Sequence, residues 1–134
     1  MGVGTYLKEH KPGVKIYAVE PPVGEQVEGL RNLDEGFIPP VYDKWGGPDL
    51  LDGKRIVRPK ESILWTRRLA ADCGIFAGIS SGASLAGAVR VAEQIESGTI
   101  VFIVCDGGWK YLSTGAWTDD IDEVVSRAEK IIYF

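Results

Sequence analysis

Residues 99–108 of the chain read Thr-Ile-Val-Phe-Ile-Val-Cys-Asp-Gly-Gly. The six residues from Thr99 to Val104 are all β-branched or aromatic, which is typical of a strand that is buried on both faces in a parallel sheet. The Asp-Gly-Gly sequence that follows favours a turn. We therefore predict a buried strand over residues 99–104, with a loop at its carboxyl end.

Helices and further strands are predicted on both sides of this stretch. Two short strands are expected at residues 14–19 and 55–58, and helices at 2–10, 59–72, 83–96 and 119–130, with a short helix near 26–30. Strands that alternate with helices indicate an α/β fold with a mostly parallel sheet of about three strands. The length of 134 residues predicts a single domain over residues 1–134.

Composition and charge narrow the classes of function. Fifteen basic and 19 acidic residues give a net charge of −4, and the basic residues are scattered, so we expect no nucleic-acid partner. No apolar run reaches the length needed to span a membrane. The two cysteines, Cys73 and Cys105, and the one histidine, His10, are too few for a metal site or a disulfide framework. Reduced thiols then suggest a cytoplasmic protein.

Residues 21–53 form a long irregular stretch that contains five prolines and six glycines. Loops of this length are either binding loops or exposed surface loops, and the composition favours neither. Arg31 lies in this loop, where it could clamp a carboxylate or phosphate, although a solvated arginine is the more common case.

Glycines and serines are concentrated at residues 78–84, where a loop enters a helix. A helix N-terminus offers free N–H groups to an anion or a hydrogen-bond acceptor, and Ser80 adds a hydroxyl donor. Simple N-capping by serine is the alternative, and the local sequence alone favours it.

Cys105 and Asp106 follow the best predicted strand, and ligands of open α/β sheets collect at the carboxyl ends of strands. Cys105 could be a reactive thiol. No histidine or basic cluster is near it in sequence, however, so a small buried residue at the end of a strand is the preferred interpretation. Asp106 is similarly more typical of a turn than of a catalytic acid.

Three segments in this order resemble a known family: Ala18–Pro21, Gly74–Ala83 and Val104–Thr114. Their sequences are similar to the C-terminal segment of the cysteine synthase and cystathionine β-synthase family of pyridoxal-phosphate enzymes. The resemblance covers nearly the whole chain but less than half of a full family member. It implies a partial three-layer parallel sheet with helices, the C-terminal portion of the tryptophan synthase β-like fold.

The resemblance also implies a cofactor, pyridoxal 5'-phosphate, and roles for particular residues. Ser80 would donate a hydrogen bond to the pyridine nitrogen, and Gly78, Cys105 and Asp106 would border the ring. The Cys-Asp pair resembles actinobacterial enzymes that use O-phosphoserine, in which an arginine of a Gly-Ile-Arg-Arg segment binds the phosphate. Gly29-Leu30-Arg31-Asn32 is similar to that segment, which makes Arg31 the candidate for substrate binding.

The family reaction is a β-replacement, in which an activated serine and a sulfur donor give cysteine. Residues 2–8 resemble the helix that follows the family's glycine-rich phosphate loop. The Schiff-base lysine of the family therefore has no counterpart here, no catalytic residue is assigned, and the chain alone is expected to be inactive. The resemblance further implies a homodimer.

Two other functions remain open from the sequence. The chain could be a non-catalytic remnant or an interaction module that pairs with a separate N-terminal piece. A small nucleotide-binding domain is weakened because no Gly-x-Gly-x-x-Gly loop joins a strand to a helix.

Overall fold

The computed structural model describes residues 1–128, which form helices and two short strands. In chain order they are α1 (Gly2–His10), β1 (Tyr17–Glu20), α2 (Pro40–Lys44), α3 (Gly47–Leu50), β2 (Gly53–Ile56), α4 (Pro59–Cys73), α5 (Ile79–Ala92), a 3₁₀ helix (Gly108–Thr114) and α6 (Ile121–Ala128).

The strands β1 and β2 pair in parallel, with Tyr17 opposite Gly53 and Glu20 opposite Ile56. Parallel neighbours need a long crossover, and residues 21–52 supply it. This pair confirms the predicted α/β class. β1 overlaps the predicted range 14–19 and ends one residue later, and β2 overlaps the predicted range 55–58 but begins two residues earlier.

Helix α5 packs against the two-stranded sheet and against α4. Its small residues permit this close approach: a Cβ atom at Gly82 would overlap Thr66 Oγ1 and the carbonyl oxygen of Ser62. Ser62 Oγ, from α4, also donates a hydrogen bond to the carbonyl oxygen of Ile79 at 2.7 Å. The packing of these helices fixes the N-terminus of α5, where the predicted cofactor site begins.

The predicted buried strand at residues 99–104 is not observed. The segment joins neither β1 nor β2, and Val101 and Ile103 are 87% and 72% exposed. A strand forms only where a neighbouring strand accepts its ladder of hydrogen bonds. The described part of the chain provides no such neighbour for this segment, so Val101 and Ile103 stay exposed.

Three predicted helices differ from the structure. Residues 26–30 form turns, and the helices of the long loop are α2 and α3 instead. Helix α5 begins at Ile79, four residues before the predicted start. Asp120, and not Thr118 or Asp119, caps α6, because its Oδ1 accepts the backbone N–H of Asp122 at 2.9 Å. The predicted end of that helix, at residues 129–130, lies outside the described residues.

Within residues 1–128, no helix has the length and hydropathy needed to cross a membrane. The same part of the chain contains no group of three or more His, Cys, Asp or Glu side chains that could hold a metal ion.

Candidate cofactor site

The site begins at the N-terminus of α5. Gly78 is the N-cap residue, and Ser80 lies inside the first turn with 4% of its surface exposed. The interpretation of Ser80 as a capping residue is therefore wrong. Its hydroxyl lies buried in the first helical turn, where backbone N–H groups are not used by the helix itself.

The loop at residues 105–108 is hydrogen-bonded to this helix start. The N–H of Gly78 donates to the carbonyl oxygen of Asp106 at 2.9 Å, and an isolated antiparallel bridge joins Ala77 to Gly107. The N–H of Cys105 donates to Ser81 Oγ at 3.0 Å. The structure therefore brings Gly78, Cys105 and Asp106 together beside the helical turn that carries Ser80.

The carboxylate of Asp106 has one bonded and one unbonded oxygen. Tyr111 Oη donates a hydrogen bond to Asp106 Oδ2 at 2.7 Å, and Lys110 Nζ lies 3.4 Å from the same oxygen. Asp106 Oδ1 is buried and has no hydrogen-bond partner among the described residues. A Cβ atom at Gly78 would overlap this oxygen, so glycine is required for the carboxylate to lie there. Asp106 lies in a bend, and its side chain also joins this loop to Tyr111 and lies against Gly78.

Tyr111 is a site residue that the sequence analysis did not identify. Burial and the hydrogen bond to Asp106 raise the pKa of Tyr111 to about 12. The only signal in the sequence was its position in the family-like segment Val104–Thr114, which does not reveal which side chain the phenol contacts.

Cys105 is exposed, which contradicts the expectation of a buried residue at a strand end. The reason is the same as for the preceding segment: no described strand covers it. Its backbone N–H is nevertheless fixed by Ser81 Oγ.

The long loop reaches Ser80 through Gly29. Gly29 has a φ of +84°, and a Cβ atom there would lie 3.3 Å from Ser80 Oγ. Three contacts hold this part of the loop: Glu20 Oε2 accepts the N–H of Leu33 at 3.0 Å, Glu20 pairs with Lys54 Nζ at 3.2 Å, and Asn32 Nδ2 donates to the carbonyl oxygen of Pro21 at 2.8 Å.

Arg31 lies two residues beyond Gly29 and is exposed. Its guanidinium carbon is 5.2 Å from the centre of the Phe37 ring. Arg31, Gly29 and Tyr111 all line one open cavity of about 460 Å³, which Glu25 and Glu35 also line. Arg31 therefore lines the same cavity as Tyr111, the residue that donates a hydrogen bond to Asp106.

The chemistry of these residues fits the ring of pyridoxal phosphate. The buried neutral hydroxyl of Ser80 suits the ring nitrogen as a donor, and the loop that carries Asp106 is bonded to the same helix start. Gly29, beside Ser80, has no side chain that would obstruct the planar ring. Ser80, Gly78, Cys105 and Asp106 would contact such a ring.

Comparisons with known proteins identify the family. The family described as "Pyridoxal-phosphate dependent enzyme" matches residues 1–106, so the chain belongs to this family of enzymes. It is 36% identical to cysteine synthase B of Pseudomonas aeruginosa over 117 residues, which are 87% of this chain and 38% of that protein. O-ureido-L-serine synthase of Streptomyces lavendulae is 35% identical over 130 residues, which are 91% of this chain and 39% of that protein.

Among solved structures, cysteine synthase of Entamoeba histolytica superposes with a TM-score of 0.76 at 29% identity. The superposition covers 98% of this chain and 42% of that one. The resemblance to the C-terminal part of the cysteine synthases is thus confirmed, and the cysteine synthases of this family use pyridoxal phosphate. The chain spans about two-fifths of the length of these relatives.

Proposed function

We propose that this chain supplies the ring-binding and substrate-binding part of a pyridoxal-phosphate-dependent cysteine synthase. The reaction is a β-replacement on O-acetylserine or O-phosphoserine, with a sulfur nucleophile, to give cysteine. The observation that carries the proposal is the bonding of the 105–108 loop to the start of α5, through Gly78 and Ser81.

The Ser80 hydroxyl would donate a hydrogen bond to the pyridine nitrogen and would keep its own proton. When bound, pyridoxal phosphate supplies an electron sink for the amino-acid carbanion. A hydroxyl is a neutral partner, so it leaves the ring nitrogen unprotonated and moderates that sink, which suits β-replacement. Asp106, held by Tyr111, would border the ring.

Arg31 is the candidate for binding the leaving group of the substrate. A guanidinium can bind a phosphate through two parallel hydrogen bonds, which favours O-phosphoserine over O-acetylserine. Glu25 and Glu35 line the same cavity, so an anionic substrate would depend on Arg31 for its charge balance.

Forming the Schiff base with the cofactor and removing the α-proton of the substrate would be the task of the family's lysine, which lies in another part of the family fold. We expect the chain alone to bind no substrate productively and to make no cysteine. In the working enzyme this part would join the present chain, and the assembly would be a cytoplasmic homodimer.

The test is a single-chain fusion of the N-terminal part of P. aeruginosa cysteine synthase B with residues 1–134, supplied with pyridoxal phosphate. We expect cysteine from sulfide and an activated serine. Ser80→Ala should shift the absorption spectrum of the bound cofactor, and Arg31→Ala should lower the turnover of O-phosphoserine more than that of O-acetylserine. Ser84→Ala, on the same helix, is the matched control.

A folded fusion that binds the cofactor and makes no cysteine from either substrate would contradict the proposal. That result would favour the alternative, a non-catalytic module that pairs with a separate N-terminal piece.

A further inference from the structure

Arg67, on α4, holds the turn that follows the 3₁₀ helix. Its Nε donates a hydrogen bond to the carbonyl oxygen of Ala116 and its Nη2 to that of Asp119, both at 2.6 Å. A guanidinium is planar and presents its N–H donors in a fixed fork, so one side chain can bind two carbonyl oxygens at once. Ala116 is fully buried, and a buried carbonyl oxygen is costly to leave without a donor. The turn is therefore tied to α4.

The same turn is bonded to Tyr111 through the hydroxyl of Thr114. Thr114 Oγ1 accepts the N–H of Ala116 at 3.2 Å and donates to the carbonyl oxygen of Tyr111 at 2.6 Å. The Tyr111 phenol then donates to Asp106 Oδ2 at 2.7 Å. An unbroken series of hydrogen bonds therefore connects Arg67 to the Asp106 carboxylate.

Helix α4 also holds the opposite side of the candidate site. Ser62 Oγ donates to the carbonyl oxygen of Ile79, the residue before Ser80, at 2.7 Å. Helix α4 is thus bonded to the start of α5 and, through Arg67, to the segment that carries Tyr111. Because these two parts are distant in the chain, their relative position depends on the helix that contacts both.

A second arginine contacts the turn from α6. Arg127 Nη2 donates to the carbonyl oxygen of Thr114 at 3.2 Å and pairs with Asp119 Oδ2 at 2.6 Å. The Arg127 side chain is 51% exposed, and ion pairs exposed to solvent contribute little to stability. The hydrogen bonds of Arg67 are partly buried, so we expect Arg67 to hold the turn more firmly than Arg127 does.

We propose that Arg67 and Thr114 are positioning residues of the candidate cofactor site, which fix the Tyr111 phenol and thereby place the Asp106 carboxylate beside the start of α5. Without either residue, the phenol loses its fixed position against Asp106 and becomes accessible to reagents in solution. The placement of Tyr111 follows from the contacts above, and only its consequence for the bound cofactor rests on the proposed function.

The experiment measures the reactivity of Tyr111 in the 134-residue chain at neutral pH. N-Acetylimidazole acetylates accessible phenols, and mass spectrometry of peptides assigns the modified tyrosine. In Arg67→Ala and in Thr114→Val, we expect acetylation of Tyr111 to be at least about tenfold faster than in the parent. Thr114→Val replaces the hydroxyl with a methyl group of similar size, so it removes both hydrogen bonds of Thr114 with little change in volume.

Two variants and two other tyrosines provide the controls. Arg68→Ala, at the next residue of α4, removes an exposed guanidinium that pairs with Asp72, and Tyr111 should react there as in the parent. Thr114→Ser retains the hydroxyl and should also keep the slow reaction. Within each sample, exposed Tyr6 gives the rate of an accessible phenol and half-buried Tyr17 reports unfolding, and neither rate should change.

The isosteric variant decides the outcome even if Arg67→Ala unfolds the chain. A parent-like rate of Tyr111 acetylation in Thr114→Val, or rates of Tyr111 and Tyr17 that rise equally in that variant, would overturn the proposal. Slow acetylation of Tyr111 in a folded Arg67→Ala protein would overturn the role of Arg67.

The fusion described above separates this proposal from the proposed function. There, Thr114→Val should shift the absorption spectrum of bound pyridoxal phosphate, because Asp106 would border the ring. A reactive Tyr111 with an unchanged cofactor spectrum would contradict the proposed place of Asp106 at the ring, and it would leave the positioning of Tyr111 by Arg67 and Thr114 intact.

Discussion

Tyr111 Oη and Asp106 Oδ2 are 2.7 Å apart and join the 3₁₀ helix to the loop that contacts the start of α5. The bond leaves the second Asp106 oxygen buried and unbonded, beside the Cα atom of Gly78. The Tyr111 phenol, together with Lys110 Nζ at 3.4 Å, therefore holds this carboxylate of the candidate site, and the ionisation of the phenol should be measurable.

The first prediction concerns the titration of Tyr111. Its pKa is raised to about 12, from 10.0, by burial and by the hydrogen bond to Asp106. A raised folded pKa means that the stability from this bond is present below pH about 10 and is lost as the pH rises through about 12. When the pH is raised, the ultraviolet absorbance of tyrosinate should include a component that appears only near pH about 12. Tyr111→Phe should remove that component. Tyr6→Phe, at an exposed tyrosine of α1, should leave that component in place.

The second prediction concerns Glu20, which is 1% exposed and holds the long loop through Leu33 and Lys54. Glu20→Gln removes the charge that pairs with Lys54, and loss of one partner of a buried pair is costly. We expect a loss of about 2 kcal/mol in the free energy of unfolding, measured in urea. Glu9→Gln, at an exposed position of α1, should cost little. Equal losses for the two variants would contradict the assigned role of Glu20.

The third prediction tests the close contact of α4 and α5. Gly82→Ala introduces a Cβ atom that overlaps Thr66 and Ser62, so it should destabilise the chain by roughly 1–3 kcal/mol. Gly2→Ala, in α1, meets no atom within 4 Å and should be neutral or stabilising, because alanine favours a helix. Thermal unfolding of both variants provides the comparison. A stable Gly82→Ala protein would show that the two helices do not pack this closely.

The fourth prediction concerns acid stability. The carboxylate of Asp52 accepts the N–H of Ile16 at 2.8 Å and pairs with Lys8 at 2.9 Å and Lys15 at 3.1 Å. These contacts hold the pKa of Asp52 well below its usual value of 3.8. The stability they provide is present above pH 3.8 and is lost as the pH falls through the lower folded value. The free energy of unfolding should therefore fall less steeply with decreasing pH in Asp52→Asn than in the parent. Asp49→Asn should show the same pH dependence as the parent.

Local sequence signals located some elements well. Helix α1 was predicted at residues 2–10 and is observed at Gly2–His10, and α4 begins at the predicted Pro59. Pro59 fits the first turn of a helix, and Gly74 ends α4 with a φ of +69°. Such signals depend on the conformational preferences of a few adjacent residues, so the sequence alone carries them. The order of the three family-like segments is likewise a property of the sequence.

The pairing of strands and the contacts between distant residues depended on the tertiary structure. Residues 99–104 have the composition of a buried strand, yet Val101 is 87% exposed, because burial requires neighbouring strands that the described chain does not provide. The approach of Gly29 to Ser80 and the bond from Tyr111 to Asp106 join parts of the chain whose geometry no local pattern specifies. The sequence by itself determined the family and the conformational preference of each segment. Only the tertiary structure decided which segments meet, because that depends on packing between residues distant in the chain.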